Sequence, residues 1–114
     1  SFGWLLHPLG TDTNTTTGSS RDDAAATSTG WTASLHVTAV SSGTWTLTIE
    51  DSANNSAWST VSGASFSSAT GATAQRLVSA DGATLRRYVR YVATVVGGST
   101  PTITFALAYA RSTS

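Results

Sequence analysis

The chain has 114 residues and a formal net charge of zero, with six arginines balanced by six acids. That is one domain's worth of chain, long enough for a single core. Without cysteine there is no disulfide framework, thiolate metal site or thiol nucleophile. The low charge density lacks the basic footprint of a nucleic-acid binder, and no apolar run approaches the roughly 18 residues of a membrane span.

Ser1 to Leu9 is apolar, with Phe2, Trp4, Leu5 and Leu6, and Pro8 argues against a helix. An extended segment that packs on something is expected. The chain opens on Ser1 rather than Met, so it is either processed or a piece of a longer protein. Thr11 to Gly30 is a low-complexity run of Thr, Ser, Ala and Asp with no periodic apolar face. Together, residues 1–30 read as an extended N-terminal segment and arm, either mobile or ordered on a neighbour.

From Trp31 the pattern turns to period two. Trp31, Ala33, Leu35, Val37 and Ala39 alternate with polar residues, as in a half-buried strand. After the Ser41-Ser42-Gly43 turn, Trp45, Leu47 and Ile49 repeat the pattern. Asp51 to Ser56 is a polar turn, and a third short strand runs through Trp58 and Val61. Gly63 to Thr73 is a loop anchored by Phe66. Ala74 to Ser79 is a short strand, and Asp81-Gly82 a turn. Leu85 to Val96, rich in β-branched and aromatic residues, is the strongest strand signal. Ile103, Phe105, Leu107 and Tyr109 alternate in a final strand. Residues 31–114 therefore read as an all-β, antiparallel two-sheet sandwich, jelly-roll or immunoglobulin-like, behind an extended N-terminal arm.

Little in this inventory carries chemistry. The two histidines are His7, beside Pro8, and His36, on the polar face of a strand, and no Gly-x-Ser-x-Gly elbow is present. The chain reads as non-enzymatic, with no cofactor and no metal. Asp12, Asp22 and Asp23 lie in the low-complexity run, where a solvated loop is the plain reading and a loop calcium site the sharper one. Arg86, Arg87 and Arg90 sit in the most apolar strand, with Arg86 and Arg90 on one face. Charges there need partners, from acids across a sheet or from a neighbouring subunit. Arg86 and Arg90, with Phe2, Trp4 and Leu5, are therefore candidate interface residues. Reversing Arg86 to Glu is expected to disturb assembly without unfolding the domain. Trp45 shares its register with Leu47 and Ile49, a core pattern. Trp58 is open to a second reading, a platform on which a sugar ring stacks.

Four stretches carry a resemblance. Leu47 to Trp58, reading LTIEDSANNSAW, resembles the TIEDSADGSTW hairpin of tailed-bacteriophage structural proteins. Ala74 to Val78 resembles their AQRV strand, Arg86 to Arg90 their RRYVR, and Thr104 to Arg111 their closing TFAVAFAR. The motifs fall in the family's order over roughly residues 31 to 111. The resemblance implies a structural or decoration domain on the surface of a phage particle, on tail tube or capsid, acting by multi-copy docking on a symmetric lattice. Its partners would be copies of itself and other virion structural proteins, with neither nucleic acid nor membrane. The alternative is a carbohydrate-binding module that recognises host-surface glycans, with Trp58 as the contact.

Overall fold

The computed structural model of the chain describes residues 3–112, with side chains from residue 5 onward. Nine strands appear: β1 Gly3–Asp12, β2 Thr16–Thr17, β3 Arg21–Asp22, β4 Trp31–Ser41, β5 Thr44–Ser52, β6 Ser59–Ser65, β7 Thr73–Val78, β8 Tyr88–Val96 and β9 Thr102–Arg111. Among the described residues there is no helix. One sheet has the order β1-β9-β4-β7; the other has β2-β8-β5-β6, with β3 also on β8. Every pairing is antiparallel.

The order has a simple origin. β2 and β3 lie successively along β8 and act as one interrupted strand. The described residues then form eight strands, of which first pairs with last, second with seventh, third with sixth and fourth with fifth. That nesting is one long hairpin, rolled until its two halves face each other. It is the jelly-roll form of the sandwich, and the immunoglobulin-like alternative falls away.

Rolling brings together the apolar faces that the alternation marks on β4, β5 and β9 and the inner face of β8. Trp31, Ala33, Leu35 and Val37 of β4 pack with Trp45, Leu47 and Ile49 of β5, with Val89, Tyr91 and Ala93 of β8 and with Ile103, Phe105, Leu107 and Tyr109 of β9. Phe66, the expected loop anchor, is buried, and so is Trp45. Each large side chain contributes about 1.5–3 kcal/mol by leaving water. Asn55 takes a positive φ of 60° in the Asp51–Ser56 turn and Gly82 one of 74° in the Asp81-Gly82 turn, the left-handed geometry those residues tolerate.

Four expectations change. The boundary at residue 31 does not separate an arm from the sandwich: β1 completes the first sheet against β9, and residues 16–22 follow β8. Leu6 packs on the core, so the segment is held by its own domain. Ala39 is exposed, because a register shift between Val37 and Ala39 inserts one residue and inverts the faces beyond it. Trp58 precedes its strand, which begins at Ser59. The strong β8 signal begins at Tyr88 rather than Leu85. Leu85 instead forms an isolated bridge to Thr27, and its side chain is in the core.

Gly18, between β2 and β3, donates its N–H to the Tyr91 carbonyl, and a Cβ there would come within 2.1 Å of the Tyr91 ring. Gly18→Ala is expected to destabilise the domain by about 1–3 kcal/mol in a denaturant melt, the usual cost of overpacking. Gly71→Ala, where a Cβ meets nothing within 4 Å, should leave the midpoint unchanged.

Candidate functional site

The surface chemistry of this protein is concentrated in a set of ion pairs. They begin at the end of β5, where Glu50 and Asp51 are adjacent and therefore point to opposite faces of the sheet. Asp51 points inward and is buried. Arg86 encloses it. The Arg86 backbone N–H donates to Oδ2 at 2.9 Å, Nε to Oδ1 at 3.0 Å, and Nη2 both to Oδ1 and to the Asp51 carbonyl at 2.8 Å. A buried carboxylate needs such donors, because desolvation without them is costly. Glu50 points outward and accepts from Arg90 Nε at 2.8 Å. The Arg90 guanidinium also lies 4.1 Å from the centre of the Trp58 ring, a cation–π contact.

Arg86 and Arg90 therefore do not share a face as expected. The chain bends at Arg87 before β8 begins, which turns Arg86 toward the inward acid and leaves Arg90 beside the outward one. Both pair with acids of their own chain. The fold itself uses Arg86, so Arg86→Glu would place a carboxylate against buried Asp51 and destabilise the domain.

The second group joins residues 21–30 to the ends of β8 and β9. Arg87 makes a two-pronged pair with exposed Asp22, Nε to Oδ1 at 2.7 Å and Nη2 to Oδ2 at 2.8 Å. Hydrogen bonding from Arg87, aided by the Ala24 N–H, lowers the Asp22 carboxyl to about 2. Asp23 accepts from Tyr109 Oη, Arg111 Nε and Arg21 Nε. Burial, with Asp23 beside it, raises the Tyr109 hydroxyl well above the usual phenol range. Arg111 uses its remaining donors on Thr27 Oγ1 and on the carbonyls of Leu85 and Arg86. A concavity lined by Arg21, Asp22, Asp23, Ala24 and Arg111 lies here, and both its carboxylates are already bonded, Asp23 to Arg21 and Arg111 and Asp22 to Arg87.

The third group fastens β1. His7 is buried, with a register shift of the β1–β9 ladder on either side. Its ring stacks on Phe105 at 3.8 Å. Nδ1 donates to the Phe105 carbonyl at 3.0 Å, and Nε2 lies 3.0 Å from Asp12 Oδ1. Tyr91 Oη of the opposite sheet donates to Asp12 Oδ2 at 3.2 Å. Burial, and then the Asp12 charge, pushes the Tyr91 hydroxyl up to about 12.

The candidate residues thus separate. Phe2 lies outside the described residues. Trp4 stands opposite Tyr109 in the β1–β9 ladder. Leu5 is opposite Ala108 and 61% exposed. Trp4 and Leu5 belong to the first sheet, whereas Arg86, Arg90 and Trp58 meet at the second. The three acids weighed for calcium are also apart in function, Asp12 on His7 and Tyr91, Asp22 on Arg87, and Asp23 on Arg21 and Arg111. No group of three metal-ligating side chains gathers among the described residues. Sequence reasoning missed the joining of Asp23 to Tyr109 and Arg111. Their partnership spans 86 and 88 positions, and an acid in a low-complexity run carries no local sign of a distant phenol.

The Asp22 shift predicts a pH signature. A carboxyl lowered below its unfolded value of about 3.9 contributes stability that is present above that value and lost as pH falls through about 2. Carbon-detected NMR of the Asp22 carboxyl should give a midpoint near 2. Arg87→Ala should return it to the usual carboxylate range. No protein-family model matches the chain, and neither a curated protein nor a solved structure matches it.

Proposed function

We propose that this chain is a non-enzymatic structural or decoration domain on the surface of a bacteriophage particle. On this reading it works by repeated docking on a symmetric lattice of its own copies and other virion proteins. The observation that supports this most is how the phage-like motifs interlock. Glu50 and Asp51 of the first motif pair with Arg90 and Arg86 of the third, and Trp58 of the first stacks on Arg90. Arg111, closing the fourth, bonds the carbonyls of Leu85 and Arg86 at the start of the third. The second motif is β7, paired along its length with β4. The resemblance therefore falls on residues that depend on one another, as a retained structural unit would require. Small outward side chains on a rolled sheet also suit a module that tiles a surface.

The glycan-binding alternative needs an open aromatic face on Trp58. The Arg90 guanidinium occupies one face and the ring is half-buried, which weighs against it.

Immunogold labelling of purified particles with an antibody to this domain, paired with the intact mass of the labelled protein, tests the proposal. Label along tubes on a protein much longer than this chain is expected for a tail-tube outer domain. Label over heads at the mass of this chain is expected for a separate decoration protein. Particles of the encoding phage that carry no label would remove the virion reading.

A further inference from the structure

The charges of the chain are almost entirely spoken for within it. Ion pairs take up Asp22, Asp23, Glu50 and Asp51 and, against them, Arg21, Arg86, Arg87, Arg90 and Arg111, while Asp12 is held by His7 and Tyr91. Among the described residues, Arg76 and Asp81 are the remaining arginine and acid, both exposed and neither with an ion-pair partner. Arg76 is on β7, and Asp81 is in the turn that follows it. Opposite charges left over at one place suggest a contact that completes them.

That place is also an open sheet edge. β7 ends the order of the first sheet, and its register with β4 runs from Thr32↔Val78 to Val37↔Thr73 without a shift. The Ser79 N–H donates to the Trp31 carbonyl. In an antiparallel ladder the hydrogen-bonded pairs alternate, so Leu77, Gln75 and Thr73 also face β4. The N–H and C=O groups of Ala74, Arg76 and Val78 then point away from the sheet. All three residues are exposed, Val78 at 67%.

The other edges are blunted in familiar ways. β1 carries Pro8 and two register shifts. β6 contains Gly63 at a φ of 81° and lies across a register shift from β5. β2 and β3 are two residues each. Among the described residues, only β7 combines an edge without a register shift, an exposed valine and unmatched charges.

We propose that two copies of this chain pair antiparallel through their β7 edges, joining two four-stranded sheets into one of eight strands about a two-fold axis. A register centred on Val78 sets Val78 against Val78 of the second copy and Arg76 against Ala80 of the second copy. Each Arg76 is then within a side chain's reach of Asp81 of the second copy, twice by symmetry. Registers centred on Arg76 would oppose like charges and are disfavoured. The inference rests on the assembly reading only for its biological use; pairing of the isolated chain is a separate property.

Sedimentation and light scattering of the isolated chain, over concentrations up to on the order of 1 mM, test it. A concentration-dependent dimer is expected. Arg76→Asp and Asp81→Arg should each weaken it about tenfold or more, and the double exchange should restore it. Val78→Pro removes an N–H that faces solvent rather than β4, so it should abolish the dimer while the melting midpoint stays near that of the parent chain. A chain that stays monomeric throughout overturns the proposal. So does a dimer indifferent to both charge reversals and to Val78→Pro. Either result leaves the labelling of particles to decide the virion reading by itself.

Discussion

The structure depends on the burial of one apolar face of each sheet against the other. Nearly half the chain is Thr, Ser and Ala, so large apolar side chains are scarce and each must be placed on the inner side. β9 and β4 are central in one sheet, and β8 and β5 in the other. These four strands supply most of the core, which is why the alternation is clearest there. The buried indole nitrogens of Trp31 and Trp45 have no hydrogen-bond partner, a cost the core accepts for the area those rings bury.

Rolling a hairpin leaves the ends of the sandwich open, and the ion pairs close them. Asp51 and Asp23 are the two carboxylates most withdrawn from water, and each takes donors from segments far along the chain, Arg86 for Asp51 and Tyr109 and Arg111 for Asp23. Breaking one partner of such a pair leaves the other stranded, a larger penalty than the pair's net contribution. Their value therefore lies as much in fixing register as in adding stability. Exposed pairs such as Asp22 with Arg87 add less, because water and salt screen them. They do hold the low-complexity segment against β8.

The same economy shapes the outside. With nearly every charge satisfied internally, the outer faces consist largely of Thr, Ser and Ala. Such faces offer no strong field, and on the proposed virion reading recognition would fall to strand edges and to repetition over many copies. A module that docks on a lattice needs only modest individual contacts. The unblunted β7 edge fits that requirement better than any concavity of the surface.

Period two was enough to mark β4, β5 and β9 with their inward residues, as far as the register shift in β4, because the pleat imposes that period locally; β8 was marked by its β-branched and aromatic residues, which do not by themselves tell the inner face from the outer. Turn residues such as Asn55 and Gly82 marked the chain reversals, since few side chains accept a positive φ. The sequence by itself thus determined an all-β, antiparallel sandwich with its core. Tertiary structure decided what local pattern cannot encode. The jelly-roll nesting follows from which strands meet, and β1 and residues 16–22 became sheet only because β9 and β8 offered edges to them. The insertion beyond Val37 turned Ala39 outward. Asp23 found Tyr109 and Arg111, and Arg86 turned to Asp51, because a charge selects its partner in space once the backbone has brought distant segments together.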